Sequence, residues 1–233
     1  MNTNRKTAIS VGVLFIIATV LGVLGNNLFK PILAAPDYLI KISANENQVI
    51  IGGLLVLLSA FACAGIAICL YPILRKYNEG LALGAVGLRL MEGMLYIVGV
   101  VGLLSILTLS QEYVKAGASN ASLFQASGTS LLAVRDWAGK LSIIAFTVGA
   151  LMYYYVFYQS KLIPRWLSGW GFLGAALSLA AVLLAISGQI IYFSTVFILL
   201  QLPIGVQEMV LAVWLIVKGF NSSAIASGSA KQI

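Results

Sequence analysis

Long apolar runs separated by polar connections account for most of this chain. A helix that crosses a bilayer needs about 20 mostly apolar residues. Six stretches meet that requirement: Thr7–Leu28, Val49–Leu70, Leu81–Leu109, Ser130–Tyr158, Trp166–Ile186 and Thr195–Gly219. The pattern predicts an all-α fold, a polytopic membrane bundle of six transmembrane helices over residues 1–220. The Ser/Ala/Gly-rich segment 221–233 is predicted to be a disordered cytoplasmic tail.

Two connections are long, near Lys30–Gln48 and Ser110–Thr129, at about 20 residues each. They read as plain solvated loops, with a surface helix over a pocket mouth as the alternative. The first run follows Arg5-Lys6, the charge order of a signal peptide. Its apolar stretch is too long for one, and the one candidate cleavage site, Leu33-Ala34-Ala35, precedes Pro36. It is expected to remain as a spanning helix.

Composition strengthens the membrane reading. Apolar residues make up 61% and charged residues 9% of the 233 residues, and mean hydropathy is +1.00. Soluble domains average roughly 25% charged residues, so this chain cannot cover a water-facing surface. Its net charge of +7 is spread over short connections, where it acts as a topology signal and contacts anionic lipid heads. Nucleic-acid binding is not expected, because no basic patch is present. Membrane lipids are the expected partners.

Orientation follows from Lys and Arg. With the N-terminus inside, Arg5, Lys6, Arg75, Lys76, Lys161, Arg165, Lys218 and Lys231 are cytoplasmic, against Lys30, Lys41 and Lys115 outside. That bias predicts cytoplasmic N- and C-termini. Tyr71, Tyr77, Tyr153, Tyr154, Tyr155, Tyr158, Trp166 and Trp170 are read as an aromatic boundary on the same side.

The chain has no histidine and two cysteines, Cys63 and Cys69, whose spacing puts them on different helical faces. No disulfide, metal site or cofactor is expected. Gly-x-Ser-x-Gly and His-Glu-x-x-His patterns are absent, and Asp136 is the one aspartate within the predicted spans. Enzymatic activity is therefore not favoured. Asn120-Ala121-Ser122 fits a glycosylation acceptor, a match short enough to arise by chance. Gly80-x-x-x-Gly84 and Gly171-x-x-x-Ala175 have the spacing of close helix packing. Segments Tyr77–Gly84 and Trp166–Leu173 echo one another, without amounting to a repeat.

The run Leu70-Tyr71-Pro72-Ile73-Leu74-Arg75-Lys76 leads into Gly87-Leu88-Arg89-Leu90-Met91-Glu92, and later comes Lys161-Leu162-Ile163-Pro164-Arg165-Trp166-Leu167-Ser168-Gly169-Trp170-Gly171. Together these resemble a bacterial family of integral membrane proteins known as domain of unknown function 4386. The resemblance covers nearly the whole chain, and its most specific part is the Pro-Arg-Trp-Leu-Ser block. It implies a six-helix protein of a bacterial cytoplasmic membrane and supplies no activity or site.

Charges inside the spans supply the candidate chemistry. An ionised side chain near a bilayer centre costs roughly 2.5–3.5 kcal/mol on insertion scales. Arg89 and Glu92 are at i, i+3 on the third helix, with Tyr96 one turn further. Asp136 and Lys140 are at i, i+4 on the fourth, beside Arg135. Gln201, Gly205 and Glu208 share one face of the sixth, around Pro203. At about 1.5 Å per residue, Glu92 and Glu208 both lie roughly 15 Å from the inner boundary.

These placements predict that the three helices turn their charged faces toward each other, with Glu92, Asp136 and Glu208 against Arg89, Arg135 and Lys140. Arg89, Glu92, Tyr96, Asp136, Lys140, Gln201 and Glu208 are the candidate ligand-binding residues. The leading expectation is binding or transport of a small molecule or lipid in this pocket, with homo-oligomerisation a natural addition. A structural or accessory protein whose ion pairs only organise the bundle is the alternative, and an intramembrane lipid-modifying enzyme stands third.

Overall fold

A computed structural model describes residues 3–117 and 120–230. Among these residues the fold is entirely helical. Six long helices are apolar enough to cross a membrane: α1 (Thr3–Leu33), α3 (Glu46–Leu74), α4 (Glu79–Ala116), α5 (Ala121–Ser160), α6 (Arg165–Ile186) and α7 (Thr195–Val217). Two short helices complete the order, α2 (Tyr38–Ala44) and α8 (Ser222–Ala230). The chain is a multi-pass membrane protein. Its large outward-facing side chains are apolar, among them Leu54, Phe61, Met94, Leu173 and Leu199, and such surfaces need lipid around them.

Helix ends follow local chemistry. Asn78 accepts a hydrogen bond from the Leu81 amide at 3.0 Å and opens α4, and Ser194 does the same for α7 through the Phe197 amide at 3.3 Å. Gly117 and Gly219 take positive φ where α4 and α7 stop, a backbone region that costs a glycine nothing.

The predicted spans are all present, but several are longer than hydropathy suggests. Helix α4 continues through Glu112 and Lys115, and α5 begins at Ala121 rather than Ser130. The connection read as a plain loop at Ser110–Thr129 is thus mostly helix. The other contains α2, which forms because Leu39 and Ile42 are both buried on one face.

The expectation of a disordered tail also needs correction. Residues Ser222–Ala230 form α8, Ala224 is buried, and its carbonyl accepts a 2.7 Å hydrogen bond from the Tyr77 hydroxyl. Asn221 supplies a cap by accepting from the Ser223 amide at 3.1 Å. The tail's final residues, including Lys231, lie outside the described residues.

The chain forms two compact units: Met1–Ile17, Ala62–Glu92 and Ser142–Ile233 make the first, and Ala18–Phe61 and Gly93–Leu141 the second. The first unit's core is aromatic and aliphatic, with Phe15, Tyr153, Tyr154, Phe157 and Leu162 fully buried. Within it α6 packs against α7. A Cβ on Gly174 would lie 2.9 Å from backbone atoms of Ile204, so glycine is what permits that approach. The second unit packs Phe29, Ile42, Val49, Val100, Leu103 and Ile106 into one cluster. There Gly25 of α1 and Gly52 of α3 face each other's carbonyls.

A buried guanidinium shared by two carboxylates

Arg89 lies in the first unit, where α4 runs close to α5. A Cβ added to Gly149 would meet the Leu88 Cβ at 3.1 Å. The missing side chain at Gly149 brings Arg89 against the α5 face formed by Phe146 and Tyr153, residues two turns apart. The guanidinium carbon sits 4.6 Å from the Phe146 ring centroid and 5.6 Å from that of Tyr153. On another side lies Phe15, at 5.9 Å. Aromatic faces offer a desolvated cation some compensation for lost water.

The remaining compensation is ionic. Nη1 of Arg89 donates to Glu92 Oε2 at 3.0 Å. Nη2 donates to Glu208 Oε1 and to the Tyr153 hydroxyl, each at 3.0 Å. Tyr153 in turn donates to Glu208 Oε1 at 3.3 Å. The Arg89 and Glu92 side chains are 3% and 2% exposed, whereas Glu208 is 12% exposed. Arg89 Nε is buried without a hydrogen-bond partner.

One guanidinium against two carboxylates leaves this group with a formal charge of −1. A proton or a cationic ligand group would balance it. The crevice next to Arg89 and Tyr153 is walled mainly by Ile66, Ala67, Leu70 and Ala85, and it has no room for a water molecule.

Two glutamines tie α7 into the first unit by further polar contacts. Gln207, fully buried, donates to the Leu167 carbonyl at 3.0 Å and accepts from the Tyr154 hydroxyl. Gln201 accepts from Ser178, and its Nε2 is buried without a hydrogen-bond partner.

The candidate residues divide as follows. Arg89, Glu92 and Glu208 come together. Gln201 belongs to the same unit but is bonded to Ser178 instead. Tyr96, Asp136 and Lys140 belong to the second unit. There Tyr96 packs against the Leu103 cluster, and Lys140 Nζ sits 4.7 Å from the Trp137 ring.

Asp136 corrects the expectation of an inward-facing acid. It is 53% exposed, with Arg135 Nη1 at 3.9 Å. The buried positions of α5 at this level are Ala138, Ser142 and Ala145. Asp136 precedes Ala138 by two residues, about half a turn away from that stripe. Arg135 has its own surroundings, 4.7 Å from the Phe29 ring and 3.5 Å from Asn26 Oδ1.

Tyr153 and Tyr154 are likewise not boundary aromatics, since their exposures are 1% and 0%. Tyr153 is the site residue that hydropathy reading misses. Its spacing of seven from Phe146 was the available signal.

Among the described residues, no cluster of His, Cys, Asp or Glu is arranged to hold a metal ion. No curated protein and no solved structure matches the chain. The family described as Domain of unknown function (DUF4386) matches residues 10–219, and the chain belongs to that family.

Proposed function

We propose that this protein binds or transports a small molecule or lipid bearing a cationic group, with Arg89, Glu92 and Glu208 as the core of the site. The observation that carries this reading is the second carboxylate. A guanidinium buried for structural reasons needs one anionic partner, and here it has two, at 3.0 Å each. Glu208 is the more accessible of the pair and sits on α7 five residues beyond Pro203. Proline removes a backbone hydrogen bond inside a helix and makes a natural place for it to bend. Exchange of Arg89 for an incoming cation at Glu208 would then keep every charge partnered. The orientation that fits is cytoplasmic N- and C-termini in a bacterial cytoplasmic membrane, supported by the excess of Lys and Arg at one end.

A second reading has its own support. The crevice at Arg89 is too narrow for water, which suits a closed ion-pair network that only fixes helix register. A thermal-shift screen in detergent separates the two. Organic cations and amine-bearing lipids should stabilise the wild type and not Glu208→Gln, which has one carboxylate fewer at nearly the same volume. If no member of such a panel distinguishes the two proteins, the structural reading replaces the binding one.

A further inference from the structure

A second site lies at the basic end of the first unit, apart from the Arg89 group. The turn after α5 and the turn after α7 are joined there by a 2.9 Å hydrogen bond from the Asn221 amide to the Leu162 carbonyl. Between these turns opens a cleft of about 560 Å³, lined by Lys161, Pro164, Arg165, Trp214, Lys218 and Asn221 among others. Three cations face it, and no acidic residue is among those that line it.

Local backbone chemistry makes the cleft receptive to an anion. Lys161 takes a left-handed φ of 58°, which ends α5 and turns the chain around the opening. The last carbonyls of α7 would normally repel an anion, as the negative end of a helix dipole. Arg5 covers them, donating to the carbonyls of Leu215, Ile216 and Val217 at 3.1, 2.6 and 3.2 Å. The anion-repelling end of α7 is thereby neutralised by a side chain from α1.

The surroundings identify the source of the anion. Trp214 lies edge-on to Trp166, which is stacked with Trp170. Trp166 itself faces outward, as do Tyr155 and Tyr158, and Arg165 lies 5.3 Å from the Tyr158 ring. Indole and phenol rings gather where a membrane protein meets the headgroups. On α7, the outward-facing Val213 and Val206 lead from Trp214 away from the cationic end as an apolar strip. Cations, a ring belt and an apolar strip match, in order, the phosphate, the glycerol region and the acyl chains of a phospholipid.

We propose that the cleft between the Lys161–Arg165 turn and the Lys218–Asn221 turn binds the phosphate of an anionic phospholipid. Lys161 and Lys218 supply charge from two sides, and Arg165 supplies the planar donor fork suited to phosphate.

The test compares wild type with Lys161→Gln/Lys218→Gln in detergent, reading binding by native mass spectrometry and thermal shift. A second double variant, Lys41→Gln/Lys115→Gln, removes the same charge elsewhere. Phosphatidylglycerol, phosphatidylcholine and inorganic phosphate are the three probes. Phosphatidylglycerol should bind wild type and the control alike, and the cleft variant on the order of tenfold more weakly. Inorganic phosphate should bind in the same rank order but more weakly, because it lacks the acyl chains. Equal phosphatidylglycerol binding by all three proteins would overturn the proposal, as would equal losses in both double variants. Phosphatidylcholine binding as tight as phosphatidylglycerol would overturn it too. Phosphate binding as tight as lipid would assign the cleft to a free anion and remove the lipid.

Discussion

Arg89 and Glu208 lie 119 positions apart in sequence, yet Nη2 of the first is 3.0 Å from Oε1 of the second. This contact joins α4 to α7 through a guanidinium that also pairs with Glu92 on its own helix and a carboxylate that would otherwise lie in hydrocarbon without a cation. Its consequence for stability is asymmetric. Breaking a buried pair by removing one partner costs about 3–5 kcal/mol, whereas apolar replacement of the whole group is often neutral. Removing Arg89 would leave two buried carboxylates facing each other, so Arg89→Met should destabilise strongly, and Arg89→Met/Glu92→Leu/Glu208→Leu much less. Thermal unfolding in detergent measures both. A triple variant less stable than Arg89→Met would show that the ions contribute more than mutual compensation.

Glu112 provides the comparison. It pairs with Lys115 at 2.8 Å, but the two side chains are 58% and 71% exposed. Exposed pairs contribute about 0–1 kcal/mol. Glu112→Ala should leave unfolding nearly unchanged, and a loss comparable to that of Arg89→Met would contradict the assignment of buried and exposed charge.

Tyr153 bridges the same group and should couple to Glu208. Its hydroxyl accepts from Arg89 and donates to Glu208, so Tyr153→Phe leaves one donor and one acceptor short of a partner. A cost of about 1–3 kcal/mol is expected. In a double-mutant cycle with Glu208→Gln, the two losses should be less than additive. Strict additivity would mean that the phenol and carboxylate act independently.

Much of this arrangement can be read from sequence, for physical reasons that also mark where reading stops. Six spans follow from hydropathy because lipid requires apolar length. Their true ends do not, because α4 beyond Leu109 is held by backbone hydrogen bonds that polar residues such as Glu112 make equally well. The Arg89–Glu92 pair follows from i, i+3 spacing within one helix. Asp136 and Lys140 have an equally suggestive spacing, but spacing does not say which way a face points. The buried stripe through Ala138, Ser142 and Ala145 decides that, and it consists of small residues that hydropathy hardly distinguishes from their neighbours. Tyr153 was hidden because a tyrosine near a span's end fits a headgroup belt as readily as an ion cluster.

Gly174 offers a test of packing without charge. Backbone atoms of Ile204 would stand 2.9 Å from its Cβ, so neither side can yield by rotating a side chain. Gly174→Ala should destabilise by about 1–3 kcal/mol, the usual range for overpacking. Gly169→Ala is the control, since its Cβ would meet nothing within 4 Å. Unchanged unfolding of Gly174→Ala would mean that α6 and α7 can separate at this point without loss.

Tyr77 connects the α3–α4 turn to α8 and gives that contact a defined pH dependence. Its hydroxyl donates to the Ala224 carbonyl at 2.7 Å, and burial pushes the phenol above its ordinary value of 10. The neutral phenol is the form that can donate. Ionisation would set a phenolate against a carbonyl oxygen and cost the hydrogen bond as well. Because the docked state holds its proton more tightly than the undocked one, docking is at full strength below about pH 10. It weakens as pH rises through the raised value, and acidification leaves it unchanged. A nitroxide on Ser223→Cys, in a Cys69→Ala background, reports the mobility of α8, because Cys63 is buried and escapes labelling. The spectrum should stay constant from pH 6 to about pH 9 and sharpen at higher pH. Tyr77→Phe should give the sharpened spectrum at every pH. A Tyr77→Phe spectrum as broad as wild type would assign the docking of α8 to its buried Ala224 and not to the phenol.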